Sequence, residues 1–507
     1  MSKLEEKEAY RANQKPKSYY NFFLLFGATI IAVIIALILY PANNNAPIEK
    51  NGDVLCRDCN LIIFAVTNLR YDHLSHNGYF RNTSPNIDNF AKESVVFDSA
   101  FSQSSWTLPS GISFFTSLYP FTHKIMNRNV SDYLNEGIVT LADVLEKHEY
   151  KTAAFTGGFD YGDEYGFIPR FDYFVNSGGR IISTDPGSNS SITQRYGYFS
   201  TNFEKATEWL QKNKDNKFLL FFQGFDAHCP FGSPRVNDVY DKGYTGRLNF
   251  SFCYWTFDKI KPIVINNKPF YNLKTDYTAS RGIRDIRINE RDVYHMEALY
   301  DGEIVDVDKL FHEFLDEIGR LGLEENTIIV LFSEHGDLFG EHGRFMRGGP
   351  IRGTFYEEVL HTPLIIKHPN LKPKRIEGFA QLIDVMPTLL DFLGIKKEEY
   401  FEGKSLLPLI SENKEVNAAA IAGTTFIPYV NNTYFNQTSI VQSVRTKDFK
   451  LIYERLYTSD KSSYVDSYEF YNLSSDPKEL NNIYLTADPG LVSGLKEKLR
   501  VEEMGLE

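Results

Sequence analysis

Three short apolar runs constrain the fold of this chain most strongly. They are Asn60–Val66, Phe218–Phe222 and Thr327–Phe332, and each is rich in β-branched or aromatic residues. Runs of this length and composition, without polar alternation, are typical of strands buried on both faces of a parallel sheet. The sequence therefore predicts an α/β fold in which a largely parallel central sheet is flanked by helices.

Polar side chains follow each of these runs directly. They are Thr67, Asn68 and Arg70, then Asp226 and His228, and finally Glu334, His335, Gly336 and Asp337. In open α/β sheets ligands bind outside the carboxyl ends of the strands, so we expect these side chains to face one crevice. Taken singly, each residue is better explained as an ordinary polar loop residue.

A helix start is predicted at Thr107-Leu108-Pro109-Ser110. Pro is favoured at the first helical position, and the segment SGISFFTSLY that follows keeps a helical apolar rhythm. The free N–H groups and the dipole at a helix N-terminus favour a developing alkoxide or a bound sulfate or phosphate. Thr107 is therefore a candidate nucleophile, although a Thr before Pro at a helix start is more often a cap.

An uncharged apolar run, Phe22–Tyr40, is long enough to span the hydrocarbon core of a membrane. Basic residues precede it, while residues 41–60 offer only Lys50 and Arg57. The positive-inside rule then keeps the N-terminus cytoplasmic and exports the rest of the chain. A cleaved signal peptide is the alternative, but the run exceeds a usual signal core and Tyr40-Pro41 is a poor cleavage site. We expect a single-pass type II anchor in the cell membrane, with the large domain extracytoplasmic, or lumenal in a eukaryote.

Composition agrees with an exported globular domain. Aromatic residues make up 15% of the chain, which supplies apolar area for a large core. A net charge of −12 argues against a nucleic-acid partner. The four cysteines fall as Cys56 with Cys59 and Cys229 with Cys253, and two local disulfides are expected in an oxidising compartment. Zinc binding by the CRDC segment would need two further ligands.

Motifs in a fixed order carry a resemblance to the sulfatase family, within the alkaline-phosphatase-like group. They begin with NLIIFAVTNLRYDHL, SQSSWTLPSG and YPFTH, and continue with YKTAAFTGG, FDAHCPF, SEHGDLFGEHG, YEEVLHTPLIIKHP and EFYNLSSDPKELNNIY. The resemblance runs from Asn60 to about Leu485. It implies the sulfatase fold, with a small C-terminal α+β subdomain after the large α/β domain. In that subdomain the alternating segments SIVQSVRT and FKLIYERL predict antiparallel strands, and LVSGLKEKLRVEEM, residues 491–504, predicts a closing helix.

The resemblance places a nucleophile at Thr107, where sulfatases carry a Cys that is matured to formylglycine. Without that Cys no formylglycine forms, and Gly111 replaces the Arg of the family pattern. Thr at this position is similar to relatives that transfer or hydrolyse phosphoryl esters. The implied chemistry is covalent, with a divalent ion, Ca, Mg, Mn or Zn, that activates the Thr107 hydroxyl.

The implied metal ligands depart from the family pattern. They are Thr67, Asn68, Thr107, Glu334 and His335. The first strand has lost its acidic ligand, and Glu replaces the usual Asp of the third, so we expect weak binding of the ion.

Four further residues complete the implied site. His228 matches the family's His at the leaving group and is a candidate general acid. Arg347, Arg352 and Asp226 are candidates for contacting the substrate, the arginines through bidentate pairing with sulfate or phosphate oxygens. The Lys and His that follow TGG in the family are Phe159 and Tyr161 in this chain.

The predicted organisation has five parts. They are a cytoplasmic tail (1–21), an anchor (22–40), a linker (41–58), a sulfatase-like α/β domain (59–400) and a C-terminal subdomain (401–507). Two function classes remain open from sequence. One is a membrane-anchored hydrolase or transferase acting on sulfate or phosphate esters of a saccharide, lipid or envelope substrate. The other is a catalytically impaired binding protein that keeps the fold.

Overall fold

In the computed structural model, the described part of the chain comprises residues 55–126, 133–162, 165–167, 170–177, 197–231, 239–248, 253–255, 260–265, 267–275, 284–347, 354–426 and 438–500. The predicted tail, the anchor at residues 22–40 and most of the linker lie outside these residues. Within them, no helix combines the length and the apolar character needed to cross a membrane. The anchor therefore stays a prediction.

The strands follow in chain order. They are β1 (Asn60–Val66), β2 (Val95–Phe101), β3 (Lys151–Thr156), β4 (Tyr173–Asn176), β5 (Phe218–Gly224), β6 (Tyr254–Trp255), β7 (Ile263–Ile265), β8 (Lys268–Thr275), β9 (Arg284–Asn289), β10 (Thr327–Phe332), β11 (Leu364–Lys367), β12 (Lys374–Gln381), β13 (Ala420–Phe426), β14 (Ser439–Arg445), β15 (Phe449–Tyr457) and β16 (Tyr464–Asn472).

The helices are named in the same way. They are α1 (Pro85–Lys92), α2 (Thr107–Thr116), α3 (Pro120–His123), α4 (Leu141–Glu146), α5 (Phe199–Asn213), α6 (Glu290–Arg320), α7 (Glu357–Leu360), α8 (Val385–Leu393), α9 (Leu407–Glu412) and α10 (Pro489–Lys496).

The central sheet has the strand order β12-β2-β11-β10-β1-β5-β3-β4. Every neighbouring pair runs parallel except the two that β11 makes, with β10 and with β2. Strand β1 lies between β10 and β5, and all three strands are buried along their whole length. The predicted largely parallel sheet is confirmed, and its three apolar runs are adjacent strands.

Adjacent residues of β5 show why both faces are apolar. The ring of Phe221 packs edge-on against Phe115 of α2, whereas Phe222 contacts Phe314 of α6. Successive side chains of a strand point to opposite faces, so a strand between two helical layers needs apolar residues at every position. Helix α6 begins at a capping box formed by Asn289 and Asp292.

The C-terminal sheet has the order β13-β14-β15-β16 and is antiparallel throughout. Antiparallel pairing of the SIVQSVRT and FKLIYERL segments is confirmed. The closing helix differs from the prediction, which placed it over residues 491–504. Helix α10 begins at Pro489, where Asp488 caps it, and ends at Lys496. Pro at the first turn and an Asp N-cap explain the earlier start.

The Tyr- and Asn-rich segment around residues 235–285 contributes a second antiparallel sheet. In it β8 pairs with β6, β7 and β9. The Cys229–Cys253 disulfide ties this segment to the loop after β5, and Cys56 pairs with Cys59. Both predicted disulfides are present.

Candidate functional site

Helix α2 begins at Thr107, with Trp106 as an extended N-cap residue that makes no side-chain capping bond. The prediction that Pro109 opens the helix is therefore wrong by two residues. Thr107 Oγ1 lies 3.1 Å from His335 Nε2, and Thr107 is fully buried. The hydroxyl sits in the first turn of the helix, where free N–H groups and the dipole favour negative charge.

His335 is held in one tautomer. Its Nδ1 lies 2.9 Å from the Gly336 carbonyl oxygen, which only accepts hydrogen bonds. Nδ1 therefore carries the proton, and Nε2 accepts from the Thr107 hydroxyl. Burial holds the pKa of His335 well below its ordinary value, and the charge of Arg347 lowers it further. The ring is neutral, with its lone pair directed at Thr107.

Glu334 is fully buried after β10 and is surrounded by hydroxyl groups. Its Oε1 accepts from Tyr161 Oη at 2.9 Å and from Thr67 Oγ1 at 3.3 Å. Gln223 Nε2 donates to Thr67 Oγ1 at 2.6 Å, so the Thr67 hydroxyl hydrogen is free to point at the carboxylate. Burial raises the pKa of Glu334 to about 7, although the hydrogen bonds from Tyr161 and Thr67 act in the opposite direction.

The position of Tyr161 depends on Gly111 in α2. A Cβ atom at residue 111 would collide with the Tyr161 hydroxyl and ring. Both residues depart from the family pattern, Gly111 at the family's Arg and Tyr161 at a family His. The two departures are sterically coupled, because the absent side chain leaves the space that the Tyr161 ring fills.

Asn68 follows Thr67 with a φ of 76°, a left-handed conformation that Asn tolerates. Its Nδ2 donates to Asp337 Oδ2 at 2.7 Å and to the Ala227 carbonyl at 3.2 Å. The amide oxygen of Asn68 has no hydrogen-bond partner among the described residues. Asn68 thus ties the carboxyl end of β1 to the loops after β5 and β10.

His228 and Arg347 form a buried pair. Arg347 Nη2 lies 2.7 Å from His228 Nε2, and His228 Nδ1 donates to the Cys229 carbonyl. Asp226 accepts from the Phe199 N–H at the start of α5 at 2.9 Å. Arg352 lies outside the described residues. The structure thus brings His228 and Arg347 together and gives Asp226 a contact within the fold.

The donor chemistry does not fit a divalent ion well. Thr67 and Tyr161 direct hydroxyl hydrogens, not lone pairs, at Glu334. In the described part of the chain, groups of three acidic, His or Cys ligand atoms gather at only two places, His228 with Cys229 and Cys253, and His342 with Glu358 and Glu479. Neither contains Glu334 or His335, and the sulfurs of the first group form the disulfide.

Sequence reasoning did not assign roles to Gln223, Tyr161 and Asp337, which contact Thr67, Glu334 and Asn68 respectively. Gln223 stands near the carboxyl end of a buried strand, so the rule that selected Asp226 also selects it. In the sequence, Tyr161 stands out only as a departure from the family pattern. The strand-end rule places Asp337 at the crevice, but the particular contacts of Tyr161 and Asp337 join residues far apart in sequence, and no local pattern specifies them.

Comparisons with known proteins agree with this geometry. Residues 60–395 match the sulfatase family, and residues 340–504 match the C-terminal region of N-sulphoglucosamine sulphohydrolase. The chain belongs to the sulfatase family. Enzymes of this family, part of the alkaline-phosphatase-like superfamily, use a divalent metal ion.

Curated relatives of this sulfatase-family chain include arylsulfatase K of Bos taurus, 27% identical over 436 residues that cover 81% of the chain and 76% of the relative. An arylsulfatase of Clostridium perfringens is 25% identical over 472 residues, covering 84% and 90%. The family and these relatives support a sulfuric-ester hydrolase.

Solved structures share the sulfatase fold. One, a protein in complex with its substrate D-glucosamine-2-N,6-O-disulfate, has a TM-score of 0.63 at 19% identity and covers 88% of this chain and 98% of its own. The phosphonate monoester hydrolase of Agrobacterium radiobacter has a TM-score of 0.64 at 19% identity, covering 88% and 96%. At these identities the likeness concerns the fold.

Proposed function

We propose that this chain is a hydrolase of sulfate or phosphate monoesters in which Thr107 is the nucleophile. One observation carries the proposal, the 3.1 Å contact between Thr107 Oγ1 and the unprotonated Nε2 of His335 at the start of α2. A hydroxyl beside a base whose other ring nitrogen is held by a third group has the geometry of an activated nucleophile. The Gly336 carbonyl is that third group.

The chemistry runs in two balanced steps. The Thr107 proton passes to His335 Nε2, the Thr107 Oγ1 bond to sulfur or phosphorus forms, and the bond to the alcohol oxygen breaks. The departing oxygen takes a proton from water. In the second step water attacks sulfur or phosphorus, the bond to Thr107 Oγ1 breaks, and protonated His335 returns its proton to that oxygen. The proton released by the attacking water neutralises the hydroxide left by the first step, and sulfate or phosphate departs.

Arg347 supplies the positive charge that binds the negatively charged sulfate or phosphate group of the ester. This guanidinium is buried beside His228 and near His335, and it lowers the pKa of His335 through its charge. A buried arginine binds sulfate or phosphate oxygens with two parallel hydrogen bonds. The N–H groups of the first turn of α2 add to this stabilisation. We propose the same anion-binding role for Arg352.

For the substrate class we propose a sulfated saccharide. The bound ligand of one structural neighbour is a disulfated glucosamine. We use this compound as the saccharide substrate in the assays. Phosphate monoesters are the second class, because Thr107 lacks the formylglycine chemistry of sulfatases. The saccharide would meet the site from outside the cell, since we also propose that residues 22–40 anchor the chain.

The test of the nucleophile compares three variants of the full chain on 4-nitrophenyl sulfate, 4-nitrophenyl phosphate and the disulfated glucosamine. We expect Thr107→Ala to lower kcat by about 10³-fold or more and Thr107→Ser to retain most of it. Thr116→Ala is the matched control, because Thr116 lies in the same helix, is buried and donates to the Ile112 carbonyl. Full activity in Thr107→Ala would refute the nucleophile.

A binding protein on the same fold is the second candidate. The observation that favours it is the absence of carboxylates at positions 67 and 68 of β1's carboxyl end. This alternative predicts that the parent chain binds the disulfated glucosamine but releases no sulfate or phosphate from any ester. Calorimetric binding together with absent turnover would therefore select it.

The proposed anchor has its own test. A protease added to intact cells should digest the chain after residue 41, while a tag at the N-terminus stays protected. A soluble mature form that begins near residue 41 would instead identify residues 22–40 as a cleaved signal.

A further inference from the structure

Four residues that depart from the family pattern lie in one contiguous cluster. Gly111 admits the Tyr161 ring, Tyr161 donates to Glu334, and Thr67 donates to the same Glu334 oxygen. We propose that this cluster takes the place of the family's divalent ion, so that the site operates without one. The part of the inference that concerns turnover rests on the proposed function.

The contacts of the cluster are mutually consistent. Glu334, Thr67 and Tyr161 are all fully buried. Gln223 donates to Thr67, Thr67 donates to Glu334, and Tyr161 donates to Glu334, so every hydroxyl hydrogen has an acceptor. The Thr67 hydroxyl accepts from Gln223 Nε2 and directs its hydrogen at Glu334 Oε1, so a cation bound at Glu334 Oε1 would have to displace that hydrogen. The hydrogen-bond directions therefore oppose ion binding.

Steric coupling supports a concerted replacement. The Tyr161 hydroxyl reaches Glu334 only because residue 111 has no side chain. Glu is one methylene longer than the Asp of the family pattern, and that extra length is used to meet Tyr161 and Thr67. The departures at positions 67, 111, 161 and 334 thus have a single structural result, a carboxyl group satisfied by neutral donors.

Ligand number gives the same answer. Two buried acceptors, Asn68 Oδ1 and Glu334 Oε2, lack a hydrogen-bond partner among the described residues. Ca²⁺ takes about six to eight oxygen ligands and Mg²⁺ needs a near-ideal octahedron. Among the described residues, no third acidic, His or Cys ligand atom gathers with those of Glu334 and His335, so the charged ligands fall short of either requirement.

His335 then performs the activation that the ion performs in the family. Its Nε2 accepts the Thr107 proton directly, at 3.1 Å, and the Gly336 carbonyl keeps Nδ1 protonated. A ring nitrogen engaged with the nucleophile in this way is not directed at a cation. The Thr107–His335 pair and the Glu334 cluster are consequently two parts of one metal-free site.

Metal content of the purified full-length chain tests the inference independently of turnover. After dialysis against Ca²⁺, Mg²⁺, Mn²⁺ or Zn²⁺ and desalting, elemental analysis should find far less than one ion per chain. The thermal midpoint should be the same in EDTA and in each ion, since a ligand that binds the native state raises it. One tightly held ion per chain, or a midpoint raised by an ion, would overturn the inference.

A reconstructed variant serves as the positive control. Thr67→Asp, Asn68→Asp and Glu334→Asp combined with Tyr161→Phe return carboxylates and remove the hydroxyl that opposes them. We expect this variant to gain an ion-dependent midpoint that the parent lacks. If it does not fold, Glu334→Gln provides the second measurement, because its amide oxygen still accepts from Tyr161 and Thr67. Its midpoint should stay insensitive to EDTA, and an ion sensitivity present in the parent but lost here would count against the inference.

Turnover separates this inference from the proposed function. A chain without an ion that hydrolyses an ester in EDTA supports both. A chain without an ion that hydrolyses no ester supports the metal-free cluster and overturns the proposed function. A chain that holds one ion overturns the inference whatever its activity.

Discussion

Two clusters built around buried acidic groups differ in the partners they contain. At the site, Glu334 is surrounded by the neutral donors Tyr161 and Thr67. At the C-terminal sheet, Lys450 of β15 is fully buried and contacts Glu357 at 3.0 Å and Glu479 at 2.9 Å. We call the second group the Lys450 cluster.

The ionisation of the glutamates follows from these partners. Burial would raise the pKa of Glu357, but Lys450 and Arg445 together lower it below its ordinary value. Among the described residues Glu334 has no cation in hydrogen-bond contact, and burial raises its pKa to about 7. A buried carboxyl group therefore stays charged only where a cation repays its desolvation. The comparison teaches that hydroxyl donors alone hold a carboxyl group in place without keeping it ionised.

The largest expected effect comes from removing the cation of the Lys450 cluster. Lys450→Met leaves Glu357 and Glu479 without their shared partner and should lower the free energy of unfolding by about 3–5 kcal/mol. Urea unfolding at neutral pH measures the loss. Lys447→Met, at an exposed position of the neighbouring turn, should change the value by less than about 0.5 kcal/mol. Equal effects of the two variants would remove the contrast between the clusters.

The second expected effect is a pH dependence of opposite sign at Glu334 and at Glu357, whereas Glu479, whose pKa burial also raises to about 7, follows Glu334. The pKa of Glu334 in the folded chain, about 7, lies above its ordinary value of 4.5. Its contribution to stability is fully present below 4.5 and is lost as pH rises through 7. In EDTA, the free energy of unfolding should fall by about 2 kcal/mol between pH 5 and pH 8 on account of this group. Glu334→Gln should flatten that fall.

Glu357 provides the opposite case. Its pKa is lowered in the folded chain, so its contribution is present above 4.5 and is lost as pH falls through the folded value. Glu357→Gln should therefore flatten the acid side of the stability profile. A Glu334→Gln variant that alters only the acid side would contradict the assignment of the two slopes.

The smallest expected effect is the loss of one hydrogen bond to Glu334. Tyr161→Phe keeps the ring that fills the space beside Gly111 and removes only the hydroxyl. We expect a loss of about 1 kcal/mol in the free energy of unfolding, measured in urea. Tyr464→Phe, whose ring is half exposed, should cost nothing measurable. A neutral result for Tyr161→Phe would show that the hydroxyl does not satisfy Glu334.

Much of the fold was predictable because each central strand is marked by an apolar run in its own local sequence. Strands β1 and β10 have the predicted bounds, and β5 extends the predicted run by two residues to Gly224. A strand buried on both faces must be apolar throughout, and few other structures impose that pattern. Helix termini were less accurate, since Thr107 rather than Pro109 begins α2 and α10 ends at Lys496. At a terminus, tertiary contacts such as Thr107 with His335 compete with local preference.

The candidate site was likewise predictable in one part and not in another. Strand ends and family motifs located Thr67, Thr107, Glu334 and His335, and the structure gathers them at the carboxyl edge of the sheet. Their partners were not predictable. The Thr67–Glu334 contact spans 267 residues and the Tyr161–Glu334 contact spans 173. The motifs also implied metal ligands, and the direction of the hydroxyl hydrogens that opposes this role exists only in the folded chain.

The residue pattern was sufficient to establish an α/β sheet with polar residues along one edge, because hydrophobic burial acts on each strand according to its own composition. Tertiary structure alone determined which polar side chains share hydrogen bonds and which buried carboxyl groups meet a cation. These outcomes depend on ångström-scale distances between segments far apart in sequence. The space beside Gly111 is the clearest example. It lets Tyr161 donate to Glu334 only because α2, Tyr161 and the end of β10 pack together.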